Sequence, residues 1–347
     1  MPLSYVNRLQ QETEMNTHLS ATARRQWLRL STTLAAAAFA SIFHQTSWAQ
    51  AWPTQPVKIV LAVAAGSSGD TLARLIAPRL EEIWKQPVIV ENRPGAGGIL
   101  GTETVVAAKD GHTMLLASQS SFLPKYTQKS LRFDPATDLV PIAKLIEYES
   151  VLVTNAQSQK KAKSFAEVVA LSKADAKGLF FSGTGPTSIF NISMAILNQF
   201  AGINYTGVNF NNVGAMNMAL LRDDAQLMIN TPSSIKAHVD SGALVPLAAI
   251  SKQRYANLPN VPTIFEVTNY RGYLPVLWAG MVMPKGTPAA VVDRVARDLQ
   301  TVVLQEETRK KIETTLSGTV QRSSPDQFAK QISEEMDAWK RLDIKPE

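Results

Sequence analysis

A chain of 347 residues without a single cysteine has no access to disulfides, thiolate metal sites or a cysteine nucleophile. Its 35 Lys and Arg against 29 Asp and Glu leave a formal net charge of +6 at pH 7. No dense basic face accompanies that excess, so nucleic acid is disfavoured as a partner, while a mild positive field favours the arrival of an anion.

Arg24 and Arg25 precede a largely apolar run from Leu28 to Phe43, which ends at the small-x-small tripeptide Ser47-Trp48-Ala49. This reads as a signal peptide, residues 1–49, cleaved near Ala49, with a periplasmic mature protein. The arginine pair leaves both the general secretory and the twin-arginine routes open, and Met15 is a candidate start. As a membrane anchor the run falls short, about 16 residues against the roughly 20 needed to span. The 298 residues after Ala49 exceed the usual size of one core and point to two domains. Loss of Arg8, Arg24, Arg25 and Arg29 together with Glu12 and Glu14 lowers the net charge to +4.

Val57 to Val63 reads as a buried strand that breaks into Ala64-Ala65-Gly66-Ser67-Ser68-Gly69 before a helix. Leu72, Leu75, Ile76, Leu80 and Ile83 share one face of that helix, and Asp70 is its expected N-cap. A strand over 87–91, a Gly-rich loop, a helix through Ala107 and a strand over 114–117 follow. The alternation continues with strands at 151–153, 179–182, around Val208 and at 226–230, and helices at 164–174, 188–200 and 214–222. A buried strand is expected over 276–283, then helices over 288–305 and 325–342. Strands alternating with helices predict parallel sheets covered on both faces. The expected organisation is α/β with a discontinuous first domain, 50–153 and 275–347, and a second domain, 154–274. Two crossing strands then make a hinge and a cleft.

Gly66-Ser67-Ser68-Gly69, at a strand end and a helix start, offers backbone N–H groups, hydroxyls and the positive end of a helix dipole, the parts of an anion site. An ordinary strand-to-helix turn is an equally good reading of the loop taken alone. Ser182-Gly183-Thr184-Gly185-Pro186-Thr187-Ser188 repeats the logic, so two helix N-termini, one per domain, would suit a ligand with a carboxylate at one or both ends. Asn92 to Gly101 fits no G-x-G-x-x-G register, because Leu100 falls where the third glycine belongs, and reads as a structural turn. A phosphate-binding P-loop is missing, since no Gly-Lys pair occurs.

For catalysis, the mature chain offers only His112, expected in a turn, and His238, expected on the polar side of a short helix. No G-x-S-x-G elbow occurs. Ser158-x-x-Lys161 and Ser233-x-x-Lys236 match a common spacing without companion motifs, and Glu81-Glu82 and Asp223-Asp224 read as surface charge. The expectation is a non-enzyme that holds neither metal nor cofactor.

Trp52-Pro53, Pro56 to Val60, Gly66 to Asp70 with Leu72-Ala73-Arg74, and above all Glu91-Asn92-Arg93-Pro94-Gly95-Ala96-Gly97-Gly98 resemble the solute-binding proteins of tripartite tricarboxylate transporters, the Bug proteins. Asp110 to Thr113, Asp138 to Ile142, Leu258 to Thr263 and Pro284 to Pro288 extend the resemblance over nearly all of the mature chain. It implies a type II periplasmic binding protein fold, two α/β domains around a ligand cleft. It also implies a monomer that captures a small carboxylate and hands it to integral membrane transporter subunits. Carried over by position, Gly66, Ser67, Ser68 and Asp70 form the first carboxylate loop; Ser118, Ser120 and Ser121 line the cleft; Ser182 and Thr184 serve the second domain with Asn211; and Asn230 and Thr231 complete the wall.

The chain departs from the family pattern in its first loop, where Ala62-Val63-Ala64-Ala65-Gly66-Ser67 replaces the usual Pro-Phe-Pro-Pro-Gly-Gly. Phe190-Asn191 stands where a His is usual, Phe210-Asn211-Asn212 replaces Tyr-Lys/Arg-Gly, and Asn230 replaces a common Asp. These changes point to a bulkier anion, an aromatic mono- or dicarboxylate such as terephthalate. Two other functions stay open on sequence: a sensor presenting its ligand to a signalling partner, and a periplasmic hydrolase.

Overall fold

The structure, a computed structural model, describes residues 52–158, 162–183, 188–210 and 213–341. Contacts divide the chain into two units, residues 1–52 and 53–347, and the fold below is that of the second. The signal segment expected over 1–49 lies outside the described residues. Among those described, no helix is long and apolar enough to cross a membrane.

Two mixed sheets organise the unit. In chain order the first receives β1 (Val57–Leu61), β2 (Val88–Asn92), β3 (Thr113–Ala117) and β4 (Leu139–Tyr148). The chain then crosses to β5 (Val151–Asn155), β6 (Leu179–Gly183), β7 (Tyr205–Asn209), β8 (Leu227–Asn230) and β9 (Leu244–Ala249), and returns as β10 (Leu277–Pro284) and β11 (Gly318–Val320). The strand orders are β11-β4-β10-β3-β1-β2 and β7-β6-β8-β5-β9.

Within each sheet three strands run parallel, β2-β1-β3 and β7-β6-β8. The strand that arrives from the other sheet, β10 or β5, inserts antiparallel beside them. This corrects the expectation of all-parallel sheets, because a crossing strand enters from the opposite end. β5 belongs to the second sheet, so the chain passes from one sheet to the other between Tyr148 and Val151.

The central strands β3, β5 and β8 are buried along their whole length, as expected of strands covered on both faces. Helices α1 (Ser68–Trp84), α2 (Ile99–Val106), α3 (Phe165–Ala174), α4 (Ile189–Ala201), α5 (Val213–Leu221) and α6 (Pro232–Asp240) connect the strands. The chain closes with α7 (Ala289–Leu304), α8 (Glu306–Leu316) and α9 (Pro325–Arg341). In α1, Leu72, Ile76 and Leu80 are fully buried. Its N-cap is Ser67, whose Oγ accepts the Asp70 N–H at 3.3 Å, so Asp70 is the third helical residue and not the cap. Serine reaches that N–H from an extended backbone, which frees the Asp70 carboxylate for other partners.

The two crossings are tied to both sheets. Between β4 and β5, Glu149 N–H donates to Ser317 O at 2.9 Å, and Ser150 N–H to the Tyr255 hydroxyl at 3.0 Å. At the return crossing the Gln119 amide holds both sides of the entry to β10, donating to Val276 O and accepting Trp278 N–H.

Candidate ligand-binding cleft

The β1–α1 turn is built by its own side chains. Asp70, 5% exposed, accepts Gly66 N–H at 2.9 Å, Arg74 Nε–H at 3.0 Å and Asn92 Nδ2–H at 3.1 Å. The Arg74 guanidinium, helped by the Gly66 and Asn92 bonds, holds the Asp70 carboxyl at about 2 against the opposing effect of burial. Asn92 also donates to Val63 O at 3.2 Å, and Arg93 N–H to Leu61 O at 2.8 Å. The Glu-Asn-Arg-Pro block therefore staples the end of β2 to the loop after β1.

A cleft of about 650 Å3 opens beside that loop. Ser67, Ser68 and Gly69 line it from the first sheet, and Ser188, Ile189 and Phe190, at the start of α4, from the second. The two helix N-termini expected from sequence thus face one cavity. N–H groups in the first turn of a helix have no intrahelical acceptor, so Ser68 and Gly69 offer theirs to whatever occupies the cleft. Ser188 caps α4 by accepting Asn191 N–H at 3.3 Å. None of the described lining residues carries a charged side chain. Charge complementarity to an anion therefore rests on peptide dipoles and hydroxyls.

The site residues expected from sequence separate into two groups. Ser67, Ser68, Ser118, Ser120, Asn230 and Thr231 line the cleft. Gly66, Asp70, Ser121 and Ser182 do not, and each is engaged behind it. Gly66 N–H is taken by Asp70. Ser121 is 1% exposed and closes a capping box with Ser118. Ser182 is fully buried and donates to Met216 O at 3.3 Å. Thr184 and Asn211 lie outside the described residues, as does Lys161.

Pro94 to Ile99, read from sequence as a structural turn alone, forms part of the wall. Gly97 and Gly98 take φ of 63° and 100° there, which a side chain rarely adopts, and Gly98 lies where a Cβ would stand 3.2 Å from Ser120 Oγ. The run of glycines was the available signal for such a close approach. Tyr148 and Trp278 also line the cleft and carried no sequence signal, and Gln119 lines it between Ser118 and Ser120.

Trp278, 1% exposed, packs edge-on to Phe328 with centroids 5.0 Å apart. Its Nε1–H donates to both Glu335 oxygens at 3.0 and 2.9 Å, and Gln331 Nε2–H donates to the same carboxylate at 2.8 Å. Burial pushes Glu335 up to about 7, against the opposing effect of those donors and Lys144. A carboxyl whose folded value lies above its ordinary 4.5 contributes stability that is full below 4.5 and lost as pH rises through 7. Glu335→Gln keeps an acceptor for Trp278 and removes the titration. The unfolding free energy of the variant relative to the parent should rise by about 3 kcal/mol between the two ends of that window. Denaturant midpoints at both ends check it, and a difference that stays flat refutes it.

His112, 8% exposed, accepts Thr54 N–H through Nε2 at 3.1 Å, and its Nδ1 lies 2.7 Å from Asp110 O. It pins the segment before β1 to the turn before β3. Neither His112 nor His238 lines the cleft.

Residues 72–345 match the tripartite tricarboxylate transporter family receptor. A UPF0065 protein of Bordetella bronchiseptica is 32% identical over 257 residues, 73% of this chain and 75% of the relative. Protein BugT of Bordetella pertussis is 28% identical over 299 residues, 84% of this chain and 89% of its own. Among solved structures, the periplasmic binding protein BugD superposes with a TM-score of 0.72 at 24% identity, covering 85% of this chain and all of that one. MatC from Rhodopseudomonas palustris, with bound malate, superposes at 0.72 with 26% identity over 84% of this chain and 100% of its own. A match over most of the length, carried by the same two-sheet fold, shows that the chain belongs to the tripartite tricarboxylate transporter family of receptors.

Proposed function

We propose that this receptor is exported to the periplasm, captures a small carboxylate in the cleft between its sheets, and delivers it as a monomer to integral membrane transporter subunits. The observation that carries the reading is the cleft itself: two helix N-termini, one from each sheet, on a cavity whose described lining carries no charged side chain. Such a site holds an anion by backbone donors and closes on it without a buried cation. The malate bound to MatC, a related receptor, supports a carboxylate as the ligand class. In this reading Ser67, Ser68, Ser118, Ser120, Asn230 and Thr231 contact the ligand, with Gly66, Asp70, Ser121 and Ser182 holding the loops in shape.

The ligand is an aromatic mono- or dicarboxylate. Val63, Ile99, Leu116 and Phe190 supply apolar wall beyond the polar loops, suited to a flat hydrophobic body. The small residues of the first loop leave room for it, Ala64 among them. A thermal-shift screen of the purified mature chain against aliphatic and aromatic acids tests the proposal, since a ligand bound only by the folded state raises Tm with occupancy. A larger shift with terephthalate or another aromatic acid than with malate or citrate is the expected result. Stronger binding of citrate than of every aromatic acid overturns the aromatic assignment, and no shift with any acid overturns carboxylate capture.

A further inference from the structure

We propose that the Tyr148 hydroxyl determines specificity at the hinge end of the cleft, donating a hydrogen bond to a second oxygen on the ligand whose first carboxylate sits at α1. The proposal rests on the carboxylate-capture reading above. Tyr148 is the last residue of β4, at the crossing into β5. It lines the cleft and is 8% exposed. Its hydroxyl is buried with no hydrogen-bond partner. Buried hydroxyls are ordinarily partnered, so each orphan calls for an explanation. Of the buried side-chain polar atoms without a partner among the described residues, this one belongs to a residue that lines the cleft.

The placement fixes what kind of ligand would satisfy it. Strand order runs β4-β10-β3-β1, so three inter-strand steps of about 4.8 Å, on the order of 14 Å in all, separate the β4 end from the β1 end that carries the Gly-Ser loop. A single carboxylate held at α1 does not span that interval; a ligand body does. Burial raises the phenol well above its ordinary range, so the group stays protonated and can donate. With no charged side chain on the described wall, the distal group is met by a neutral donor, which suits a carboxylate, carbonyl or hydroxyl oxygen alike.

The test is calorimetric titration of the full mature chain and of Tyr148→Phe with matched acids: terephthalate against benzoate, adipate against hexanoate, and 4-hydroxybenzoate as a neutral distal acceptor. The parent should favour the member with the distal oxygen in at least one pair. Tyr148→Phe should weaken that member by on the order of tenfold to a hundredfold and leave the monocarboxylate within about twofold. Because an orphan hydroxyl contributes nothing to the empty protein, the Tm of ligand-free Tyr148→Phe should equal or exceed that of the parent. An effect on terephthalate but not 4-hydroxybenzoate assigns a distal carboxylate, and an equal effect assigns any oxygen acceptor.

Equal weakening of both members of every pair, or of neither, overturns the proposal, as does a lowered Tm with uniform weakening. A parent that binds each monocarboxylate as tightly as its partner overturns it while leaving carboxylate capture standing. A parent that binds no acid removes both.

Discussion

Ser68→Pro should lose tenfold to a hundredfold in carboxylate affinity while its Tm stays within about 2 °C of the parent or rises. Ser68 is the first residue of α1, where proline is well accommodated, because its fixed φ is helical and the N–H it removes has no intrahelical acceptor. The preceding Ser67 already has φ −71° and ψ 164°, the extended conformation that a following proline demands. The substitution therefore deletes one donor from the cleft without disturbing the helix. It also restricts the unfolded chain, which favours the folded state.

Ser68→Ala separates backbone from side chain, since it removes the hydroxyl and keeps the N–H. Near-parental binding by Ser68→Ala with weak binding by Ser68→Pro assigns the contact to the peptide donor. Parental binding by Ser68→Pro would show that the Ser68 N–H does not hold the anion.

Gly101→Ala should destabilise the protein by about 2 kcal/mol, lowering Tm by about 5 °C, against the direction that helix propensity alone predicts. Gly101 lies within α2, where alanine is intrinsically the better residue. A Cβ there, however, would stand 2.7 Å from Ala62 Cα, 2.9 Å from Ala62 Cβ and 2.9 Å from Arg93 O. None of these is the end of a flexible side chain, so α2 must move off β1 or the loop after β1 must shift. The Gly-Ser loop proposed to hold the carboxylate begins at that point, so ligand affinity should fall along with stability. Gly97→Ala is the comparison, because a Cβ at Gly97 meets nothing within 4 Å, although φ is 63°. Its cost is local backbone strain, about 1 kcal/mol, without displacement of β1. Chemical denaturation of both variants decides the matter, and a Gly101→Ala variant more stable than the parent would mean that the contact relaxes freely.

How far the fold was legible depended on whether a segment carried its own periodicity. The strands at 57–61, 88–92, 113–117 and 277–284 and the helices α1, α4, α7 and α9 announce themselves by apolar runs or by one buried face. β4 does not, because Pro141, Lys144 and Glu147 interrupt it, and its pairing with β10 carries two register shifts. Lys144 and Glu147 pair with each other, and Gln331 of α9 reaches Lys144 at 2.6 Å, a cover that only the returned C-terminal helix provides. β9 hides for a similar reason: Pro246 sits at an irregularity on an edge strand, where a missing N–H is tolerated.

The candidate site shows the same division. By itself the sequence determined the alternation of strand and helix, the two Gly/Ser-rich turns at strand ends, and the block from Glu91 to Gly98 that carries the family resemblance, because each depends on neighbours within a few residues. Only the tertiary structure decided which polar groups are spent and which are free. Asp70 looks like a ligand residue until Arg74, Asn92 and Gly66 are seen to surround it, and Tyr148 looks like one strand residue among many until its hydroxyl is found buried at the hinge without a partner. Hydrogen-bond satisfaction joins residues far apart in the chain, and local pattern carries no information about it.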